Sequence, residues 1–201
     1  MSDSYACNSE LVLWLDTNEK FQTAATSQLE DKLGAHIVTA EHPDDIQRKV
    51  SAGDRPGMFI TDWIGVDPKD RPHEFVRFVR AHSPLTMTML LSERCIPQSD
   101  AVNQLRRERL IDGSNKKVDL EECQKTLISW RPLMTSELCS ALREYIFSVN
   151  NPSLCFLQDG PTAPFNMFDI YRAIVAQTEF GKEQERVWRN LLLNDESNVS
   201  A

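Results

Sequence analysis

The sequence predicts an α/β protein: a doubly wound parallel sheet of five βα units, followed by a mainly α-helical C-terminal region. Three observations carry the prediction. Short apolar runs alternate with amphipathic segments over the first 130 or so residues. The runs have the unbroken apolar character of buried strands. Strands that are each followed by a helix must pair in parallel, because parallel neighbours are joined by crossovers.

The elements follow in order. "LVLWLD" (11–16) reads as a buried strand, and "TNEKFQTAATSQLEDKLG" after it as a helix closed near Gly34. "AHIVTA" (35–40) is a second strand, and "DDIQRKVSAG" a short helix ending at Gly53. "GMFITD" is the third strand, followed by "RPHEFVRFVRAH", a helix with Phe75, Phe78 and Val79 at helical spacing. "LTMTMLLS" (85–92) is the fourth strand and "SDAVNQLRRER" its helix. "RLIDGS" predicts a short fifth strand, and "DLEECQKTLISW" the helix after it.

From Pro132 the pattern changes to helices alone, which places a boundary between residues 9–130 and 131–194, with a frayed tail at 195–201. A helix starting at Thr135 carries Leu138, Ala141, Leu142, Tyr145, Ile146 and Val149 on one stripe. That stripe is expected to be buried, within the chain or in a homodimer. "NPSLCFLQDGPTAP" is a Pro/Gly-marked connection, and "NMFDIYRAIVAQTEF" with "KEQERVWRNLLL" forms one or two helices, interrupted or kinked near Gly181. Trp188, Leu191 and Leu192 are core or partner surface.

Composition excludes several classes of function. At 201 residues the chain can bury one substantial core with a helical extension. A net charge of −8 argues against a nucleic-acid surface spread over the chain, and "RRER" (106–109) reads as a solvated helix face. Residues 131–201 hold six basic and nine acidic residues, which argues against a DNA-reading helix pair. Five scattered cysteines without a CxxC pair fit reduced thiols better than disulfides or zinc. No membrane span and no signal peptide is apparent, so a cytoplasmic protein is expected.

In open parallel sheets the working crevice lies beyond the carboxyl ends of the strands, where strand order reverses. The assigned strands deliver Asp16, Asp62, Ser92 and Lys116 to those ends: two acids, a hydroxyl and an amine. An acid after "LWL", Asp62 after "MFIT", Ser92 after "TMLL", and "KK" ahead of "VDLEE" together resemble the response-regulator receiver domain, over roughly residues 9–130. The resemblance implies a flavodoxin-like (βα)5 fold. It implies that Asp62 accepts a phosphoryl group from a histidine kinase or phosphotransfer protein. Asp16, Asp62 and the backbone carbonyl of Ile64 would hold Mg²⁺, an ion that prefers oxygen ligands. Ser92 would engage the phosphoryl group, and Lys116 would neutralise it as a point charge. The helical region would serve output or dimerisation through protein–protein interaction.

Four positions depart from that pattern. Thr17 stands where the family has its second acid, and Glu93 where a small residue follows the hydroxyl. Lys117 stands where a proline follows the lysine, and Gly113 where the fifth strand carries a switching aromatic. These departures favour a second reading, a pseudo-receiver that serves as a constitutive interaction module without phosphoryl transfer. A third reading is a small enzyme of another α/β family, similar to the aspartate-nucleophile phosphatases in its acid after the first strand, but this chain has Asn18 where their second aspartate would fall. It also has no Gly-rich phosphate loop, nucleophile elbow or HExxH motif.

Overall fold

The structure, a computed structural model, describes residues 7–62, 72–93, 100–154 and 164–193. The chain divides into two compact units between Ser129 and Trp130. Within the first unit five strands, β1 (Asn8–Leu15), β2 (His36–Ala40), β3 (Pro56–Thr61), β4 (Met87–Leu91) and β5 (Gly113–Asn115), form one sheet in the order β2-β1-β3-β4-β5. Every pairing is parallel. The crossovers are α1 (Glu19–Leu33), α2 (Pro43–Ser51), α3 (Pro72–His82) and α4 (Asp100–Arg107), and α5 (Leu120–Met134) follows β5.

The sheet is covered on both faces, which explains the unbroken apolar runs of β1, β3 and β4. Along β1 the side chains alternate between the two faces. Leu13 and Leu15 join Ile46 and Val50 of α2, Phe59 of β3 and Val79 of α3 in one buried cluster. Trp14 points to the other face, where Phe21 of α1 meets it edge-on at 5.9 Å. A second cluster of Val76, Leu90, Val102, Leu105, Leu110 and Ile111 seats α3 and α4 near the β5 edge. Fully burying one such side chain is worth about 1.5–3 kcal/mol, so the β1 and β3 residues anchor the unit.

Local signals end the elements as the sequence suggests. Asn18 caps α1 by accepting from the Phe21 N–H, and Gly34 closes it with a left-handed φ of 57°. The fifth strand is displaced from its expected position. Leu110 and Ile111 are buried but lie outside the strand, and only Gly113–Asn115 pairs with β4. The apolar pair fills the α3–α4 cluster, so hydrophobicity there marks core packing ahead of the strand rather than the strand itself.

In the second unit α6 (Glu137–Ser148), α7 (Met167–Val175) and α8 (Glu179–Leu193) each pack on the other two. The helix expected from Thr135 begins at Glu137, where Ser136 accepts from the Cys139 N–H as its cap. Pro132, expected to open the region, stands inside the last turns of α5. Leu138, Leu142 and Ile146 of the expected stripe are buried, whereas Tyr145 is exposed and tilts its ring against Trp188 of α8 at 5.3 Å. α7 is buried nearly all round and carries the ion pair of Asp169 with Arg172. The interruption expected near Gly181 lies earlier, where Gln177 turns through a φ of 52°. Gly181 is inside α8 and lets that helix touch the α7 backbone: a Cβ there would lie 1.9 Å from the Ala173 carbonyl oxygen. Among the described residues no helix is long and apolar enough to cross a membrane.

Candidate functional site

Sheet order reverses at β1, whose neighbours β2 and β3 lead away in opposite directions, and the crevice of such a sheet opens beside that point. The ladder carries two carboxylates there. Leu15 is in register with Thr61, and the Asp62 N–H continues the pairing by donating to the Leu15 carbonyl at 2.9 Å. Asp16 and Asp62 therefore leave adjacent strands side by side. The Asp16 N–H is also held, by the Ala40 carbonyl of β2 at 3.0 Å.

Between the two acids lies an ammonium. Lys117 Nζ donates to Asp16 Oδ1 at 2.7 Å and to Asp62 Oδ2 at 2.8 Å. The lysine side chain is 4% exposed, against 0% for Asp16 and 13% for Asp62. Asp62 is thus the carboxylate that reaches solvent. Asp16 Oδ1 also accepts from the Asn18 N–H at 2.8 Å, while the buried Oδ2 has no hydrogen-bond partner among the described residues. Burial holds the Asp16 carboxyl above its ordinary range, although Lys117 and the Asn18 N–H pull the other way. Burial opposes the charge on Lys117, but its hydrogen bonds to Asp16 and Asp62 outweigh that and hold the ammonium above its ordinary value.

The lysine seated between the two acids is Lys117 rather than the expected Lys116. Lys116 is half-buried and extended (φ −79°, ψ 151°), and it precedes the 3-10 turn Lys117–Asp119. That turn starts one residue later than the expected strand implies, and it directs Lys117 inward. Ser114 is buried on β5 and accepts from Arg106 of α4 at 2.8 Å. Val118 is 83% exposed.

Ser92 is buried at the end of β4. Its N–H donates to the Asn115 carbonyl at 3.2 Å, and its carbonyl accepts from the Lys117 N–H at 3.4 Å. The backbone therefore ties Ser92 to the segment that supplies the lysine. Glu93 is exposed beside it, and Thr17 is exposed beside Asp16. Ile64, the expected carbonyl ligand, lies outside the described residues.

No group of three or more acidic, histidine or cysteine side chains suited to a metal occurs among the described residues. Mg²⁺ does not require one, since it keeps several waters and is bound by one or two carboxylates. The Asp16 carboxylate, with its unbonded buried Oδ2, and the Asp62 carboxylate fit such an ion. Lys117 already offsets one of their two charges, and neutral Thr17 adds none, so the donor set is a weak one.

Two contributors escaped the sequence reading. "KK" offers two lysines, and a three-residue strand has too little periodicity to choose between them. Phe21 sets its ring 5.1 Å from Lys117 Nζ. An aromatic in the first turn of a helix that starts beside a strand-end acid is the signal that could have found it.

No protein-family model matches the chain, and no curated protein matches it. Solved structures do. The chain is similar to an adenylate cyclase from Rhodopirellula baltica at 16% identity and a TM-score of 0.50, over 71% of this chain and 100% of that one. It is similar to a CheY-like response regulator receiver domain protein from Methanospirillum hungatei at 13% identity and a TM-score of 0.47, over 62% and 97% of the two chains. A response regulator from Thermotoga maritima, solved in complex with Mg²⁺ and BeF, gives 20% identity and a TM-score of 0.45, over 59% and 98%. An all-parallel five-stranded sheet in the order 2-1-3-4-5 is common to the flavodoxin and CheY folds. The first unit has this doubly wound, flavodoxin-like fold. At these identities the likeness concerns the fold alone, and the unit's chemistry rests on its own side chains.

Proposed function

We propose that the chain is a two-component-type signalling protein in which Asp62 accepts a phosphoryl group. The observation that carries this reading is Lys117 Nζ, seated 2.8 Å from Asp62 Oδ2 and 2.7 Å from Asp16 Oδ1. Phosphoryl transfer needs a positioned nucleophile and fixed positive charge for the oxygens of the transferred group. A carboxylate oxygen of Asp62 attacks phosphorus, and the bond from phosphorus to the leaving group breaks. The leaving atom, an imidazole nitrogen in a phosphohistidine donor, keeps the electron pair. Lys117 then meets the phosphoryl oxygens as a point charge, and Ser92 donates its hydroxyl to one of them. Asp16 holds the ammonium in place throughout. Mg²⁺ bound by Asp16 and Asp62 would add positive charge at the same oxygens. The donor would be a histidine kinase or phosphotransfer protein, and residues 131–194 would pass the signal on by protein–protein contact or as a homodimer.

The test is intact-mass spectrometry after incubation with a small phosphodonor and Mg²⁺, comparing wild type with Asp62→Asn. One added phosphoryl group, absent from the variant, is the expected result. No adduct on either protein would refute phosphoryl transfer. A second reading, an interaction module that is never phosphorylated, is favoured by Thr17 and Glu93, which place no acid beside Asp16 and an exposed one beside Ser92. Under it, partner binding is indifferent to Asp62→Asn.

A further inference from the structure

We propose that Phe21 is a positioning residue for Lys117, its ring confining the ammonium to the point where it meets both carboxylates. The proposal deepens the phosphoacceptor reading and rests on it for its functional consequence, but the contact itself can be tested without any phosphodonor.

The geometry is a closed circuit of contacts. Asp16 Oδ1 accepts from the Asn18 N–H at 2.8 Å. Asn18 Oδ1 accepts from the Phe21 N–H at 3.1 Å, which caps α1 and fixes its first turn. The Phe21 ring stands 5.1 Å from Lys117 Nζ, and Lys117 Nζ returns to Asp16 Oδ1 at 2.7 Å. A cation within about 6 Å of a ring centroid is drawn to the negative face of the π-system, and more strongly where water is excluded. Water is largely excluded here, since the lysine side chain is 4% exposed. The ring cannot drift freely, because Trp14 of β1 packs against it edge-on at 5.9 Å with an interplanar angle of 85°. Trp14 is wholly buried and is itself fixed by the sheet.

Lysine has a flexible four-carbon stem, so two carboxylates alone leave its head several arrangements. A rigid aromatic wall on a third side removes most of them. The ammonium is then already oriented when an anionic group forms on Asp62, and little reorganisation is needed at that moment. Leucine at 21 would fill much of the space but would offer no π-face. Tyrosine would keep the face.

The experiment is reductive methylation of the full-length protein, with peptide mass spectrometry comparing the rates at Lys117 and at its neighbour Lys116. Wild type, Phe21→Leu, Phe21→Met and Phe21→Tyr are compared, with phosphorylation of Asp62 by a small phosphodonor measured on the same samples. Lys117 should label about fivefold faster in the Leu and Met variants, with Lys116 unchanged and the Tyr variant close to wild type. Asp62 phosphorylation should slow in the same two variants and recover with tyrosine. Equal Lys117 labelling in all four proteins would overturn the proposal, as would a rise in the tyrosine variant equal to that in the leucine variant. If Phe21→Leu does not fold, Phe21→Met decides the matter, being unbranched and close in volume. A wild type that takes no phosphoryl group refutes the phosphoacceptor reading, while the labelling comparison still decides the role of Phe21.

Discussion

Replacing Lys117 by methionine keeps the stem of the side chain and removes only the charge, which isolates what the ammonium contributes. In the native protein it makes two contacts, at 2.7 Å to a carboxylate with no exposure and at 2.8 Å to one that is 13% exposed. At an effective dielectric constant of about 20, each ion pair at these distances is worth roughly 6 kcal/mol of attraction, opposed by the several kcal/mol needed to take the ions out of water. Removing one member of a buried pair leaves the other charge in place without compensation, and that typically costs about 3–5 kcal/mol. Asp62 can turn toward solvent, so we expect the lower end, about 3 kcal/mol, with most of it arising at Asp16. The variant Lys117→Met/Asp16→Asn should then recover to within about 1 kcal/mol of wild type, because a neutral replacement of a buried ion pair is often tolerated. The assay is urea unfolding of the full chain, with hydrogen exchange of the β1 and β3 amides to report the first unit. Burial already holds the Asp16 carboxyl above its ordinary range. In Lys117→Met the deficit should therefore shrink as the pH falls and Asp16 takes up a proton. A single variant as stable as wild type at neutral pH, or a double variant no more stable than the single, would refute the reasoning.

Two further outcomes follow from the same geometry. The Lys117 ammonium is held above its ordinary value in the folded state. Its contribution is therefore fully present below the unfolded value of about 10.4 and is lost as the pH rises through the folded one. Urea unfolding at increasing alkaline pH should show the difference between wild type and Lys117→Met constant up to that point and declining beyond it. In the helical unit, Gly181→Ala would place a Cβ 1.9 Å from the Ala173 carbonyl oxygen and 2.3 Å from its carbon, so α8 must move off α7. We expect a loss of about 2–3 kcal/mol, read as faster hydrogen exchange in α7 and α8 with β1 unaffected. Unchanged exchange there would show that the helices do not meet at Gly181.

The fold was legible because burial on two faces leaves a strong mark on a strand. β1 from Leu11 on, β3 from Met58 to Ile60, and β4 apart from Thr88 are apolar, and a run of that kind between amphipathic segments has few other solutions. Asp16, Asp62 and Ser92 were legible for the same reason, since each directly follows the strand that such a run forms. β5 lacks the mark. Gly113–Asn115 holds only three residues at the sheet edge, while the apolar Leu110 and Ile111 just before it serve the α3–α4 cluster. Hydrophobicity there pointed to the wrong residues, and the error passed directly to the lysine that follows.

That error also shows what specifies the site. Nothing in the local sequence prefers Lys117 to Lys116, for the two lysines are adjacent. Lys117 reaches inside because two carboxylates and an aromatic ring, from β1, β3 and α1, are arranged to receive an ammonium at that place. A buried lysine without those partners would be costly, and with them it retains its proton. The choice between neighbouring residues is made by contacts 55, 96 and 101 positions away in sequence. The Lys117→Met/Asp16→Asn comparison therefore tests more than one ion pair. If the buried acid accounts for most of the loss, the placement of Lys117 is dictated by Asp16, and a lysine at 116 alone could not replace it. The variant Lys117→Met would then stay destabilised although Lys116 stands beside it, and rescue by Lys116 would show that the turn is free to slip by one residue.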